Sequence, residues 1–431
     1  MPAKTERRHR QGNESRQRIL EAAIAIAVER GYDGTTVALV TERAELPASS
    51  VYWQFTNKDE LIAAALDHSY RRWRTEGPTW QAANYSGTSR ERIHTRLGHS
   101  LTSVERELDY WRLGLTLAML RRPGGIAAQD RFVAVRGETR RIIQEWWSSL
   151  DLDVAERQPA LMRNLTALYL AFVDGMFVAH RADPDVELVL LQDVVSDAFA
   201  DVYEARAAST PPPRRRTPRR RRRRTTVEPE DDSRTRLLDA AAEIAAERGY
   251  RGTTISSICA RAGVPVSSVY WFFTDKDELL SEVVGHSWEE WFAGQPSWVP
   301  PPAGTAWTDT LTSILDVAVT SLTDAPSFLR IGHMLTLEQP PGEIAARDRF
   351  LEIRRGIEDR ICAWFAASLP AEAVAREPRL PRTLAVTLIA FTDGYFLGVQ
   401  IDSSEPPVTE FVDLVVDVLA HATTRYTTSG D

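Results

Sequence analysis

The feature that most constrains this chain is that it is written twice. Residues 15–73 and 233–291 share 32 of 59 positions without a gap, at a fixed offset of 218. Both copies pass through Gly-Tyr-x-Gly-Thr-Thr and Ser-Ser-Val-Tyr-Trp-x-Phe, reach Lys-Asp-Glu-Leu and close on His-Ser-x-x-x-Trp. The same offset aligns Pro78 and Trp80 with Pro296 and Trp298, and Arg112 and Gly114 with Arg330 and Gly332. One inserted residue later, Ala171-Phe172-x-Asp174-Gly175 meets Ala390-Phe391-x-Asp393-Gly394. A period this long is not that of a solenoid. It describes a unit of about 205 residues joined head to tail.

The repeat sets the expected domains. A basic arm (1–14) precedes a first head (15–73) and a first larger domain (74–206). A linker (207–232) leads to the second head (233–291), the second larger domain (292–425) and a tail (426–431). The linker has no apolar periodicity, which predicts disorder when free. Charge is concentrated there: residues 209–227 hold nine Arg and no acid, so the rest of the chain carries −17 against a total of −8.

The apolar spacing predicts an all-α fold. Ile19, Leu20, Ala23, Ile26 and Ala27 form a helical stripe that stops at Gly31, and Leu237, Leu238, Ala241, Ile244 and Ala245 stop at Gly249. Thr36 and Thr254 are expected N-caps. Helices are expected over 90–121, 126–150, 159–181 and 186–205, with no alternating run that argues for a strand. No stretch is expected to span a bilayer, and the N-terminus lacks the apolar core of a signal peptide. Two cysteines, Cys259 and Cys362, cannot build a disulfide framework, which points to a reducing cytoplasm.

Residues 36–54 and 254–272 each read as two short helices around a tight turn, the spacing of a helix-turn-helix. In such a motif the second helix lies in the major groove of DNA. Ser49 and Ser50, with Ser267 and Ser268, let backbone approach DNA closely. Tyr52 and Trp53, with Tyr270 and Trp271, supply an OH, an NH and flat apolar faces. Lys58 and Lys276 follow where an ammonium reaches a phosphate.

The run Gly-Tyr-x-Gly-Thr-Thr followed by Ser-Ser-Val-Tyr-Trp-x-Phe-x-x-Lys-Asp-Glu-Leu resembles the N-terminal DNA-binding domain of TetR-type transcriptional regulators. The resemblance covers about 55 residues of each half. It implies a bacterial, cytoplasmic, nucleoid-associated regulator released from an operator by a small molecule, usually a repressor and a homodimer built through a four-helix bundle. Carried over, Tyr52, Tyr270, Thr36, Thr254, Lys58 and Lys276 meet phosphate. Ser49, Ser50, Trp53 and Gln54 face bases or sugars, as do Ser267, Ser268, Trp271 and Phe272. The turn position usually held by Gly is Gly263 in one copy and Glu45 in the other. Pro47 and Pro265 replace the common Ser before the recognition helix.

In this chain the halves are expected to pair through 159–206 and 379–425 as an intramolecular pseudo-dimer, with a further homodimer left open. Gln54 and Phe272 differ in what they read, which predicts an asymmetric operator. Effector binding is expected to tilt residues 57–73 and 275–291. Candidate effector-pocket residues are Trp111, Arg112, Trp146 and Phe172, with Arg330, Trp364, Phe391 and Tyr395; the sequence does not identify the effector. Arg112, Arg330, Asp174 and Asp393 also suit structural ion pairs or helix–helix hydrogen bonds, and His68 and His286 suit packing. The linker is either a solvated spacer or a strip of counterion-releasing contacts along DNA, and Arg7, Arg8 and Arg10 are further candidate contacts. Catalytic and metal-site motifs are missing, so neither an enzyme nor a cofactor is expected. The alternative is an effector-independent activator or less specific DNA-binding protein that relies on the Arg-rich linker.

Overall fold

In a computed structural model, the described residues are 2–76, 86–106, 108–186, 188–209, 215, 233–338, 342, 344–401 and 404–427. They form helices and no strand. The first half runs α1 (Pro2–Gly34), α2 (Val37–Ala44), α3 (Ala48–Tyr52), α4 (Lys58–Glu76), α5 (Ser89–Glu105), α6 (Asp109–Met119), α7 (Ala127–Ser148), α8 (Leu152–Arg157), α9 (Pro159–Ala182) and α10 (Leu188–Ala208). The second half repeats the order as α11 (Ser233–Gly252), α12 (Ile255–Ala262), α13 (Val266–Val269), α14 (Lys276–Phe292), α15 (Trp307–Leu322), α16 (Ser327–Glu338), α17 (Ala345–Ser368), α18 (Ala371–Arg376), α19 (Leu380–Ile401) and α20 (Val408–Thr424).

Three features differ from the sequence reading. The stretch 90–121 is two helices: Arg106 and Leu108 take extended backbone, and Asp109 then enters the first turn of α6. A carboxylate at a helix start is favoured by the dipole, and the break turns Tyr110 and Trp111 inward. The short α8, with Asp151 accepting a hydrogen bond from Val154 N, was not anticipated. The segment expected as a free basic arm begins α1 at Pro2.

Against the expectation of no bilayer-length apolar stretch, α9 and α19 are long and apolar enough to cross a membrane by composition. Here they lie 89% and 78% buried inside the protein, packed on one another. Their crossing explains the repeated Ala-Phe-x-Asp-Gly. A Cβ on Gly175 would sit 1.8 Å from the Ala390 carbonyl oxygen, and one on Gly394 would sit 1.7 Å from that of Ala171. The two backbones touch at a point that only glycine permits. Phe172 and Phe391 pack beside the crossing at 5.4 Å.

The contact between halves extends beyond α9, α10, α19 and α20 to α6 against α16 and α1 against α11. It is reciprocal, as a two-fold-related interface must be. Arg112 donates to the Leu337 and Glu338 carbonyls, and Arg330 donates to the Met119 carbonyl and, within its own half, to Gln400. Asn164 also meets Glu410 at 2.8 Å in a part-buried bond, and at the surface Arg425 meets Asp197 at 2.9 Å.

Candidate nucleic-acid interface

The helix-turn-helix of each head begins with a capped helix, α2 or α12. Thr36 accepts from Leu39 N at 3.3 Å, and Thr254 exchanges hydrogen bonds with Ser257 in a full capping box. The turns that follow differ in chemistry but not in conformation. Gly263 is left-handed (φ 67°), and Glu45 takes the same region (φ 52°) despite its Cβ. Glu45 N donates to the Glu42 carbonyl at 3.2 Å, and Arg18 lies 3.4 Å from its carboxylate, which offsets part of the strain and charge. Pro47 and Pro265 hold the N-cap positions of α3 and α13 without a side-chain cap.

The recognition helices are short, and each ends in a pair of aromatic rings that no core covers. Trp53 and Trp271 are 90% and 85% exposed; Tyr52 and Tyr270 are 62% and 60% exposed. Val51 and Val269, in the same turns, are buried and fix the helices against their heads. Large apolar side chains exposed at matching places mark a surface built for a partner. Ser49 and Ser267 are exposed beside them, with Ser50 and Ser268 half-buried. The sixth position separates the heads: Gln54 is half-buried with Arg16 Nη1 3.5 Å from its Oε1, whereas Phe272 is 41% exposed.

Lys58 and Lys276 turn inward rather than toward a phosphate. Each ammonium donates to a backbone carbonyl, Tyr32 or Tyr250, at 3.0 Å. Each also lies over that tyrosine's ring, at 4.3 and 4.0 Å. Burial pushes both lysines below the usual ammonium range and lifts both tyrosines to about 12. A half-buried cation on a carbonyl and a ring is a brace for the end of the first helix.

The rest of Lys-Asp-Glu-Leu is equally occupied. Glu60 and Glu278 accept from Thr56 N and Thr274 N at 2.8 and 2.6 Å. Asp59 accepts from Ala127 N at 2.7 Å and Ala128 N at 3.2 Å, while Asp277 accepts from Ala345 N and Ala346 N at 2.6 and 3.4 Å. These aspartates are borrowed caps for α7 and α17, so the head and the larger domain are joined at a helix start. The sequence reading missed this role because the capped helix lies 68 residues away.

Most of the predicted effector residues line neither of the two aromatic cavities found among the described residues. Trp111 lines a small one of about 60 Å³. Arg112, Arg330, Phe172 and Phe391 belong to the contact between halves. Trp146 stands edge-on to Trp147, Trp364 donates to the Val299 carbonyl at 2.9 Å, and Tyr395 packs on Phe411. Aromatic enrichment therefore reported core and interface. The residues that do line the larger cavity, about 310 Å³, are led by Trp288, Trp291, Trp298, Phe328, Phe350 and Arg354. Asp174 pairs with Arg136 and accepts from Trp111 Nε1 at 2.8 Å, and Asp393 pairs with Arg354 and His333. Burial raises Asp174, while Arg354 and His333 overcome the same burial and hold Asp393 below the usual carboxylate range. His68 and His286 stand within 4.0 and 3.5 Å of Glu21 and Glu290.

One carboxylate lies between the heads. Glu338 ends α16 and is buried, with its Oε1 3.7 Å from a Cβ placed on Gly31 and 2.9 Å from one on Gly249. Burial pushes it up to about 7 against the pull of Arg251, Arg112 and Lys276. Of the linker arginines, Arg215 is among the described residues, bridging Asp316 at 2.7 Å and Asp413 at 2.6 Å. Arg219–Arg224 lie outside the described residues, as do Pro78 and Trp80; Arg7, Arg8 and Arg10 lie on α1 without described side chains.

A capped short helix, a left-handed turn and a second short helix ending in an exposed Tyr-Trp occur in each half. The profile of bacterial regulatory proteins of the tetR family matches residues 19–65 and again 237–283. Each head, over those residues, is similar to the tetR family. The chain carries such a head twice. Over 93 residues it is 32% identical to the HTH-type transcriptional repressor KstR of Mycolicibacterium smegmatis, covering 22% of this chain and 45% of that protein. It is 40% identical to the repressor KstR2 of Rhodococcus jostii over 62 residues, and 40% identical to the regulator TtgR of Pseudomonas putida over 57. These two matches each cover 13% of this chain, and 30% and 27% of the relatives. The chain thus spans less than half the length of these tetR-family relatives. The solved FadR regulator of Bacillus subtilis, in complex with stearoyl-CoA, aligns with 42% of this chain and 96% of its own, at 13% identity and a TM-score of 0.33.

Proposed function

We propose that this chain is a transcriptional repressor that binds its operator as a single-chain pseudo-dimer and is released by a small molecule. The observation that carries the reading is the pair of exposed Tyr-Trp ends, on two heads of one chain whose halves meet at the α9–α19 crossing. A symmetric pair of recognition helices suits two successive major grooves about one helical turn apart, ~34 Å. The fused halves need no second chain, because a tethered partner is held at high effective concentration.

The two heads are not equal readers. Gln54 can pair with an adenine edge, whereas Phe272 offers apolar contact such as a thymine methyl accepts. Two unlike half-sites follow. Footprinting of a selected operator, with each half-site mutated in turn, checks this. The reading expects unequal sensitivity and a footprint that Gln54→Ala alters on one side only. A palindromic footprint with equal sensitivity contradicts it.

Release is expected to run through the borrowed caps. A ligand that moves α17 pulls on Asp277 and so on α14, which carries the second head. Its effect on the operator equals its difference in affinity for the two arrangements.

A further inference from the structure

The two halves enclose the same site with different contents. Aligned by the repeat, the small cavity of the first half and the larger one of the second are lined from equivalent positions: Trp73 and Trp291, Phe132 and Phe350, Arg136 and Arg354, Asp174 and Asp393. Their volumes are about 60 and 310 Å³. The difference has named causes. Trp111 stacks on Phe177 at 4.2 Å and gives its N–H to Asp174, where the second half has Leu329. Tyr169 hydrogen-bonds Ser100, where the second half has Leu388 and Ala318. Arg96, 1% exposed, stands where the second half has Ile314. Asp393 does not lose by the exchange, because His333 supplies the hydrogen bond that Trp111 gives Asp174.

The chemistry of the open cavity restricts its occupant. Trp288 stacks on Phe292 at 4.9 Å and meets Phe328 edge to face at 5.3 Å, so much of the wall is aromatic ring. Such walls also suit cations, but Arg349, Arg354 and Arg360 line the same space. Its two carboxylates are taken: Glu352 pairs with Arg349 at 2.8 Å, and Asp393 with Arg354. Arg360, exposed at the rim and 4.6 Å over the Phe292 ring, has no carboxylate partner among the described residues. The indole N–H of Trp291 is buried without an acceptor among the described residues. A volume of this size is that of a small-ligand pocket, and the other has room only for water.

We propose that ligand sensing is confined to the second half, whose cavity takes one aromatic-ringed, apolar compound with a hydrogen-bond acceptor and at most one negative charge, while the first half is filled and serves as a fixed partner. The proposal rests on the regulator reading above and gives that reading a stoichiometry: two heads, one ligand.

The test is titration of the full chain, without DNA, with 1-anilinonaphthalene-8-sulfonate and with its uncharged analogue N-phenyl-1-naphthylamine. The expected result is one probe per chain. Leu329→Trp, which installs the first half's filler, weakens both probes at least tenfold. Leu388→Tyr does the same by the second filler, should the first variant fold poorly. Arg360→Gln weakens the sulfonate probe about fivefold and leaves the neutral one within twofold. Two equal sites per chain, no binding, or probe affinity indifferent to both fillers overturns the proposal. Operator binding is measured separately. An intact operator complex with no probe site sinks the one-cavity proposal alone, whereas a probe that binds once yet never loosens an operator complex at saturation sinks ligand release and leaves the cavity standing.

Discussion

The two halves of this chain share a backbone plan and differ in how each spends its interior. The first packs Trp111, Tyr169 and Arg96 into the space under its head, and the second leaves that space open behind Leu329, Leu388 and Ile314. The heads show the opposite emphasis. Their frames agree to the level of the Lys-Asp-Glu-Leu hydrogen bonds, and they part at Gln54 against Phe272 and at Glu45 against Gly263. In the proposed single-chain pseudo-dimer, duplication frees each copy from having to do everything, because its partner is always the same neighbour. What stays constant is what both copies need: the crossing, the braces and the caps.

The largest expected effect is at the crossing that joins the halves. Gly175→Val or Gly394→Val places side-chain atoms where a carbonyl oxygen already sits, so each should cost at least about 3 kcal/mol in urea unfolding. A loss under 1 kcal/mol would show that α9 and α19 do not meet this closely. Next comes the carboxylate between the heads. Because Glu338 is held near 7 when folded, its contribution to stability is full below the ordinary carboxylate value and is lost as pH rises through about 7. Glu338→Gln is therefore expected to stabilise by on the order of 2–3 kcal/mol at pH 8 and by nothing at pH 4. Equal stabilities at pH 8 would mean that Arg251 and Arg112 fully compensate the charge.

A smaller effect separates the heads. Replacing Tyr52 and Trp53 by Ala, or Tyr270 and Trp271, should weaken operator binding by about 1–3 kcal/mol without altering thermal unfolding, since all four rings are exposed. Each double variant should lose protection over a different half-site. The smallest effect sharpens the contrast between interiors. Asp59→Ala and Asp277→Ala each remove a borrowed cap, worth about 1 kcal/mol of stability. Only Asp277→Ala should also change how strongly a ligand shifts operator affinity, because the proposed ligand cavity lies in the second half, against α17. Equal changes in both variants would break the contrast.

Much of this was legible in the sequence for a physical reason: periodicity and repetition are carried by the chain itself. The stripe ending at Gly31, the caps Thr36 and Thr254, and the exposed Tyr-Trp pairs follow from local spacing. So does the all-α plan. The brace that Lys58 and Lys276 make to the Tyr32 and Tyr250 carbonyls was not legible, because those acceptors lie 26 residues away along the chain. The cavity was misplaced for a related reason: an aromatic residue signals burial, but not against what. Trp111 and Leu329 look like a minor exchange along the chain, yet they decide whether the space under a head is filled. The Ala-Phe-x-Asp-Gly repeat was visible, while its cause, two carbonyl oxygens against two glycines, needed the second helix in place.

The most direct test of the whole account is molar mass by light scattering, for the chain alone and bound to a duplex carrying its selected operator. One chain of 48.4 kDa per duplex is the predicted result, with both half-sites engaged by the heads of that chain. Two chains per duplex would contradict it, because each head would then depend on a partner from another molecule.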